Sequence, residues 1–308
     1  MNKVYQETPN NVNDILGYVI SDVSEIIKIL GMNKRFYFYD TCSILYHSNS
    51  NNRTKIISYL KSKEAVIVIN ATVLMELTSN TFKIDNKQVN YIKEISENGI
   101  KLILLKEEYT FNVLKKYTSL SNDECNKLLS FAICQMIKSK NKIYEIISDL
   151  DKSLQLKFKG VNQSTNEIYT DFFSLARSKK DSEDSLGEEL IFLTIILLNK
   201  LPGKTFIYLS DDKKSTSQLI NIKKYILKYY ENERVMQLTT AAIIYKLYNQ
   251  KIVIDKDVLL EIINCTSNDK RVAVRYIGEY DLEEKTEKFS TEDLIKMIAH
   301  KSEIKIII

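Results

Sequence analysis

Proline and glycine are scarce in this chain of 308 residues, which contains 2 prolines and 7 glycines. Collagen-like, proline-rich and glycine-rich linker sequences are therefore excluded. Long apolar runs are also missing: the longest spans residues 190–198 and is interrupted by Thr194, whereas about 20 apolar residues are needed to cross a bilayer. Residues 1–13 are polar and lack the apolar segment of a signal peptide. We expect a soluble, helix-rich, cytoplasmic protein without a membrane partner.

Cysteine and histidine are too few for most transition-metal sites. The two histidines are His47 and His300, and the four cysteines are Cys42, Cys125, Cys134 and Cys265. No pair of cysteines has metal-ligand spacing, which excludes a structural zinc site and favours free thiols in a reducing compartment. His47 lies a short distance after Asp40 in the chain, and we expect it to be a surface residue.

The excess of positive charge is also small, since 44 basic and 40 acidic residues give a formal net charge of +4. Such a balance does not by itself indicate a nucleic-acid partner. The chain contains 19 tyrosines, whose rings are suited both to core packing and to stacking on unpaired bases. Evidence for function must therefore come from the positions of particular residues.

Five short segments predict β-strands. Each is nearly continuously apolar, as is typical of strands covered on both faces, and helical patterns separate them. They cover residues 35–39, 65–69, 101–105, 205–209 and, with a weaker pattern, 235–238. We therefore predict parallel βαβ units in a three-layer α/β fold.

Helical periodicity predicts most of the remaining structure up to residue 255. Apolar residues recur at three- and four-residue steps through residues 13–30, which predicts one amphipathic helix. Between about residues 107 and 176 the pattern is mostly helical, best at 131–147, and we predict a helical insertion between the third and fourth strands. Residues 178–187 are polar and predict a loop. We assign residues 1–255 to one domain.

Residues 256–308 predict a small α+β appendage. Its helices are expected at 256–264 and 291–299, and its strands at 271–277 and 303–308. Ser290 or Thr291 followed by two acidic residues is typical of a helix start.

Six acidic residues follow predicted strands or open a predicted helix. They are Asp40 after the first strand, Glu76 after the second, Glu188 and Glu189 at the start of a long apolar helix, and Asp211 and Asp212 after the fourth strand. In an open parallel sheet, ligands bind beyond the carboxyl ends of the strands, near a switch in strand order. We therefore expect these side chains to meet in one crevice.

Clustered carboxylates repel one another and cannot all stay ionised unaided. A hard divalent cation relieves that repulsion, and oxygen ligands suit Mg²⁺ or Mn²⁺. Such a cation activates water and neutralises charge on a phosphate. Acidic residues at strand ends, without a catalytic cluster of histidine or cysteine, therefore indicate metal-assisted phosphodiester hydrolysis.

Four short motifs carry a family resemblance. Asp40-Thr41-Cys42-Ser43-Ile44 is similar to D-[ST]-[NCS]-x-[LI], and Met75-Glu76-Leu77 is similar to x-x-E-L at the opening of a helix. Gly187-Glu188 resembles an acid that opens a helix after glycine, and Ser210-Asp211-Asp212 resembles [ST]-[ND]-D after a strand. In this order they resemble the PIN-domain nucleases, over roughly residues 34–250 without the insertion. Residues 235–248 also resemble the last strand and helix of that fold.

The resemblance implies a metal-dependent endonuclease whose products carry a 3′-hydroxyl and a 5′-phosphate. The implied ligands of Mg²⁺ or Mn²⁺ are Asp40, Glu76, Glu188 and Asp212. Asp211 stays open as the alternative to Asp212, and Asp184 or Glu189 as alternatives to Glu188, because the family more often has Asp at the third position. The insertion makes this chain larger than a compact toxin-type PIN domain, which leaves membership of a toxin–antitoxin pair open.

We predict RNA as the substrate, in single strands or loops, because a flexible backbone enters a recessed acidic crevice more easily than a duplex. The hydroxyls predicted to hold a water or a phosphate oxygen are those of Thr41, Ser43 and Ser210. The basic residues predicted to guide the phosphate backbone are Lys213, Lys214, Lys223, Lys224, Arg177, Lys179 and Lys180.

Two other functions stay open. The first is a catalytically degenerate PIN-like module that binds RNA or protein. The second is another metal-dependent α/β phosphohydrolase, whose phosphate-loop forms are disfavoured because no G-K-[ST] motif occurs. DNA as a substrate, a homo-oligomer and a regulatory protein partner also stay open.

Overall fold

The structure is a computed structural model that describes residues 5–78, 81–136, 142–148, 165–181, 184–229, 235–267, 270–278, 284–300 and 304–306. Within these ranges, the side chains of residues 165, 213, 224–229, 278, 284, 304 and 305 lie outside the description. Two sheets and the helices packed around them make up the described part of the chain.

The first sheet has five parallel strands in the order β3-β2-β1-β4-β5. Their bounds are β1 Arg35–Tyr39, β2 Val66–Asn70, β3 Lys101–Leu105, β4 Thr205–Leu209 and β5 Val235–Leu238. The prediction of a parallel α/β sheet is confirmed, and only the second strand differs, by one residue. Nearly all side chains of β1, β2 and β4 are buried, which explains their continuously apolar sequences.

Fifteen α-helices occur among the described residues. Their bounds are α1 Asn13–Leu16, α2 Val23–Met32, α3 Thr41–Asn49, α4 Arg53–Ser62, α5 Ala71–Leu77, α6 Asn86–Glu97, α7 Thr110–Tyr117, α8 Asn122–Met136, α9 Lys142–Ser148, α10 Thr165–Ser178, α11 Leu186–Leu198, α12 Lys213–Tyr229, α13 Thr240–Asn249, α14 Lys256–Asn264 and α15 Thr291–Ala299. A 3₁₀ turn covers Glu107–Tyr109. None of these helices is both long and apolar enough to span a membrane.

The prediction of one helix over residues 13–30 is wrong. Helix α1 ends before Gly17, and α2 begins after Asp22, whose side chain accepts a hydrogen bond from the backbone N–H of Glu25. Between the two helices, Ile20 pairs with Ile103 as a single parallel bridge at the edge of β3. Pairing with a sheet edge therefore overrides a helical pattern here.

The insertion between β3 and β4 is helical in its described part, as predicted. The predicted helix at 131–147 is wrong, because α8 already begins at Asn122 and ends at Met136, and α9 begins at Lys142. Residues 137–141 lie outside the described part of the chain. A buried charge anchors the insertion: Arg177, 3% exposed, forms ion pairs with Glu107 at 2.7 Å and Glu108 at 2.9 Å.

The second sheet is antiparallel, in the order β7-β6-β8. Its strands are β6 Arg271–Gly278, β7 Glu284–Ser290 and β8 Ile304–Ile306. The sequence does not predict β7, because this strand is polar (EKTEKFS) and its described side chains up to Lys288 are exposed. Helix α15 packs against β7 and against α14, and the two helices bury Leu294 and Ile262. The buried side chains of both sheets form one continuous core.

The order of the first sheet creates a switch point between β1 and β4. The chain places β2 and β3 on one side of β1, then returns to place β4 and β5 on the other side. Connections after β1 and β4 therefore leave in opposite directions, which opens a crevice at the carboxyl ends of these two strands. Asp40 directly follows β1, and Ser210 directly follows β4.

Candidate active site

A cleft of about 1220 Å³ opens at this switch point. The structure brings together the acids predicted to share a crevice, with one exception described below. The carboxylates that line the cleft are those of Asp40, Glu76, Asp184, Glu188, Asp211 and Asp212. Burial raises the pKa of four of these carboxyl groups, those of Asp40, Glu76, Glu188 and Asp211.

Asp40 is buried at the start of α3 and is held by three donors. Oδ1 accepts a hydrogen bond from the backbone N–H of Thr41 at 2.8 Å. Oδ2 accepts from the hydroxyl of Ser210 at 2.7 Å and from the thiol of Cys42 at 3.0 Å. Burial raises the pKa of Asp40, these donors lower it, and the charge of Asp212 raises it further. Asp40 therefore occupies a fixed position between the ends of β1 and β4.

Glu76 lies in the last turn of α5 rather than at the start of a helix, and three neighbours hold it. It accepts a short hydrogen bond from the Thr41 hydroxyl and lies 3.1 Å from Nζ of Lys180. Helix α11 passes close to the Glu76 carboxylate at Gly187, where a Cβ would come 2.8 Å from Cδ of Glu76. A side chain at position 187 would therefore displace the Glu76 carboxylate.

Glu188 is the acid of the cluster whose surroundings disfavour a negative charge most strongly. Its Oε2 is buried, and no described residue donates a hydrogen bond to it. Burial, followed by the charges of Asp40 and Glu76, raises its pKa from 4.5 to about 9. A carboxylate oxygen without a donor is costly inside a protein unless a cation binds it.

The two alternatives to Glu188 differ in position. Glu189 is fully buried and points away from the cleft, because its carboxylate accepts hydrogen bonds from the backbone N–H groups of Lys142 and Ile143 at 3.2 and 2.9 Å. Glu189 thus caps α9. Asp184 does line the cleft, but Nζ of Lys180 lies 2.5 Å from its Oδ1. The geometry favours Glu188 as the third acid.

Asp211 and Asp212 have different partners. Asp211 accepts hydrogen bonds from the backbone N–H and the hydroxyl of Thr240, at 2.8 and 2.5 Å, and from the Ser43 hydroxyl at 3.4 Å. Asp212 caps the first turn of α12 by accepting from the backbone N–H groups of Lys214 and Ser215. Protein donors thus occupy both oxygens of each carboxylate. Asp211, with three donors against two for Asp212, is the more firmly held, which favours Asp212 as the candidate metal ligand.

The prediction that His47 is a surface residue is wrong. His47 is 1% exposed, and its ring bonds to Tyr39 through Nδ1 at 2.7 Å and to Thr240 through Nε2 at 2.8 Å. Burial lowers its pKa from 6.5 to about 3, so the ring is neutral. Because the Thr240 hydroxyl proton is given to Asp211, Nε2 of His47 must be the donor to Thr240. The hydroxyl of Tyr39 then donates to Nδ1, and that of Tyr91 donates to Tyr39 at 2.8 Å.

Most of the predicted substrate-binding residues have other partners. Ser43 and Ser210 are fully buried and hold Asp211 and Asp40, and Thr41 holds Glu76. Lys214 is exposed and lines the cleft, as does Lys223, whereas the side chains of Lys213 and Lys224 lie outside the described residues. Arg177 forms an ion pair with Glu107 at the start of the insertion. Lys179 is exposed but does not line the cleft.

The acids offer the oxygen ligands that a hard cation prefers, but their side chains are not arranged as a metal site. Hard oxygen donors and the buried Oε2 of Glu188 match the preferences of Mg²⁺ and Mn²⁺. Within the described part of the chain, however, no three His, Cys, Asp or Glu side chains already adopt metal-ligand geometry. Lys180, whose side chain is 2% exposed, instead supplies the positive charge beside Glu76 and Asp184. The described side chains thus do not form a ready-made cation site.

Two features of the site are missing from the set of residues predicted from sequence. Thr240 follows the end of β5, so its position beside the acids could have been inferred from the same strand-end rule that identifies Asp40. The second sheet supplies Arg271 and Arg275 to the lining of the cleft, and no sequence signal connects these arginines with the acids.

Searches of protein-family models, of curated proteins and of solved structures find no match to this chain. The function of the site must therefore be inferred from its geometry and chemistry.

Proposed function

We propose that this chain is a PIN-like, metal-dependent endoribonuclease that hydrolyses phosphodiester bonds of single-stranded or loop RNA. The observation that carries the proposal is the buried Oε2 of Glu188, which lacks a hydrogen-bond donor among the described residues and lies in a cleft shared with Asp40, Glu76 and Asp212. These acids come from four separate segments of the chain and meet at the switch point of a parallel sheet.

Electrostatics favours a cation among these acids. The charge of Asp40 raises the pKa of Glu188, and the charge of Asp212 raises the pKa of both. Lys180 offsets the charge only on the side of Glu76 and Asp184. A divalent cation between Asp40, Glu188 and Asp212 would compensate the rest, because opposite charge lowers the pKa of buried carboxyl groups.

Asp40, Glu188 and Asp212 would hold Mg²⁺ or Mn²⁺, with Glu76 completing the set. When bound, the cation supplies a Lewis acid that activates water and stabilises charge on the phosphate. The chain's other residues position the ligands: Ser210 and Cys42 orient Asp40, and Thr41 orients Glu76. Asp211, which Thr240 holds in place, serves as a positioning residue.

The proposed reaction is hydrolysis. A water oxygen forms a bond to phosphorus while the bond from phosphorus to the 3′ oxygen breaks. The products are a 3′-hydroxyl, which gains a proton, and a 5′-phosphate. Lys214, which is exposed at the start of α12 and lines the cleft, is placed to neutralise a phosphate of the substrate.

The test is cleavage of labelled single-stranded RNA and DNA with Mn²⁺, with Mg²⁺ and with EDTA. We expect metal-dependent cutting of RNA by the wild type and a loss of at least about 100-fold in Asp40→Asn, because each ligand contributes strongly to metal-assisted chemistry. Asp257→Asn, an exposed acid of α14, is the matched control. Cutting in EDTA, or full activity of Asp40→Asn, would exclude the proposal.

The second candidate is a binding module that does not cut. The lack of metal-ligand geometry among the described residues and the ion pair between Lys180 and Glu76 favour it. Calorimetry distinguishes the two candidates. If the wild type binds no Mn²⁺ and cuts neither RNA nor DNA, while RNA binding is unchanged in Asp40→Asn, the binding module is the correct assignment.

A further inference from the structure

The cleft that contains the acids has a second wall made by the other sheet. Its lining residues from β6 and β7 are Arg271, Val272, Ala273, Arg275 and Thr286. Both arginines are at least partly accessible, since Arg271 is exposed and Arg275 is half-buried. The appendage therefore contributes side chains to the same cleft as Asp40 and Glu188.

The register of this sheet concentrates basic residues on one face. Alternate residues of a strand share a face, and directly paired residues on neighbouring strands share it too. Arg271, Ala273 and Arg275 of β6 pair with Ser290, Lys288 and Thr286 of β7, respectively. These six positions contain three basic residues and no acidic residue, and the next pair on this face, Ile277 with Glu284, adds one acidic position. The opposite face of β6 packs inward at Val274, which is 2% exposed.

Helix α12 adds further positive charge to the cleft. Lys214 and Lys223 line it, together with the hydroxyl-bearing Thr216 and Ser217. We define the basic wall as Arg271, Arg275, Lys214 and Lys223. One cleft thus has carboxylates at the switch point and the four cations of the basic wall elsewhere on its lining.

We propose that the basic wall binds the backbone phosphates of single-stranded nucleic acid and directs one phosphodiester toward the acids. The delivery of a phosphodiester rests on the proposed nuclease function, whereas binding by the wall does not. A polyanion complements the charge of this wall, and separate phosphates along a flexible strand can reach cations from two different elements. Guanidinium groups suit this role because their fork of N–H donors matches phosphate oxygens.

The test is the affinity for labelled single-stranded RNA, single-stranded DNA and duplex RNA, measured by fluorescence anisotropy in EDTA so that metal-dependent cutting is absent. The variant is Arg271→Gln/Arg275→Gln. We expect its affinity for the single strand to fall about tenfold or more, and the slope of log K against log salt to shrink by about 0.7 for each phosphate that the variant no longer binds.

The matched control is Lys55→Gln/Lys256→Gln, which removes the same charge from two exposed lysines outside the cleft. Equal affinity and equal salt slope in the wild type and the arginine variant would overturn the proposal, and so would an equal loss in the control. Tighter binding of duplex than of single strand would also overturn it. Comparison of the affinities for single-stranded RNA and single-stranded DNA shows whether the cleft prefers ribose or deoxyribose.

Folding and catalysis are separated by two further measurements. If the double variant fails to fold, two single variants test the basic wall instead. The proposal requires that Lys223→Gln weakens binding of the single strand and that Arg275→Lys retains most of that binding. Arginine-dependent binding by a wild type that never cuts would support the basic wall and exclude the nuclease. Metal-dependent cutting with an unchanged KM in the arginine variant would overturn the basic wall and leave the nuclease in place.

Discussion

Gly187 and the carboxylate of Glu76 lie in direct contact, and a methyl group added at Gly187 would come 2.8 Å from Cδ of Glu76. Through this contact α11, which carries Glu188, lies directly against the side chain of Glu76 on α5. The absence of a side chain at position 187 thus allows two acids of the cluster to share one cleft.

We predict that Gly187→Ala displaces the Glu76 carboxylate. Glu76 cannot move freely, because Thr41 donates to it and Lys180 pairs with it, so overpacking is expected to cost about 1–3 kcal/mol of unfolding free energy. Urea denaturation measures this loss, and calorimetry with Mn²⁺ measures the accompanying loss of metal affinity.

Gly17→Ala is the matched control for this change. Gly17 has φ −71° and nothing within 4 Å of an added Cβ, so alanine there is expected to leave metal affinity unchanged and stability equal or slightly higher. If both variants bind Mn²⁺ as the wild type does, the contact between Gly187 and Glu76 does not position the site.

A second prediction concerns the pH dependence of stability in EDTA. The pKa of Glu188 is about 9 in the folded protein, whereas the ordinary value for a glutamate side chain is 4.5. Between these values the folded state holds a proton that the unfolded state has released, so raising the pH destabilises the folded state. Glu188→Gln removes this effect. Its unfolding free energy relative to the wild type should therefore rise from pH 5 to pH 9, by at most about 1.4 kcal/mol per pH unit.

Urea denaturation of both proteins at pH 5, 7 and 9 measures this difference. The comparison reports Glu188 together with its electrostatic coupling to Asp40 and Glu76, because the other buried acids are present in both proteins. A difference that stays constant with pH would show that Glu188 is ionised at neutral pH without a cation.

The first sheet and the meeting of the acids could be predicted from sequence because both follow from local patterns. β1 and β4 are apolar throughout, and polar residues directly after parallel strands share one edge. The choice between Asp211 and Asp212 could not be made, because the end of β5 indicates where Thr240 lies but not that it donates to Asp211 rather than to Asp212.

The roles of His47 and Lys180 could not be predicted for a related reason. A polar residue in a helix or loop is normally solvated, and only tertiary contacts bury it. His47 is buried because Tyr39 and Thr240 satisfy both ring nitrogens. Lys180 is buried because two carboxylates surround its ammonium group. The sequence contains these partners, but it does not show that the fold brings them together.

A third prediction tests the hydrogen bonds that run from Tyr39 through His47 and Thr240 to Asp211. Thr240→Val keeps the shape of the side chain but removes its hydroxyl, which leaves Nε2–H of His47 and one oxygen of Asp211 without this partner. We expect a loss of about 1–3 kcal/mol in unfolding free energy, the usual cost of unpaired buried groups.

Thr240→Ser retains the hydroxyl and is the control, expected to cost less than Thr240→Val. Nitrogen NMR of the wild type provides an independent measurement, in which His47 should carry its proton on Nε2 and stay neutral down to about pH 4, because its pKa is about 3. A proton on Nδ1 would contradict the direction of donation inferred for this network.

A fourth prediction concerns Lys180 as a built-in cation of the acidic cleft. Lys180→Gln leaves Glu76 and Asp184, which are 14% and 12% exposed, without their ammonium partner. Breaking a buried ion pair from one side costs about 3–5 kcal/mol, and we expect a loss near the lower end, because Glu76 keeps its hydrogen bond from the Thr41 hydroxyl. Urea denaturation in EDTA measures it.

Removal of Lys180 also leaves the cleft more negative, so Mn²⁺ is expected to bind more tightly to Lys180→Gln than to the wild type and to restore part of the lost stability. Lys179→Gln, an exposed neighbour that does not line the cleft, should change neither quantity. In a double-mutant cycle, Glu76→Gln combined with Lys180→Gln should cost less than the sum of the single changes, because the two groups form one pair. Weaker Mn²⁺ binding in Lys180→Gln would show instead that the ammonium group holds Glu76 in the position that the metal requires, and that the lysine and the cation act together rather than in competition.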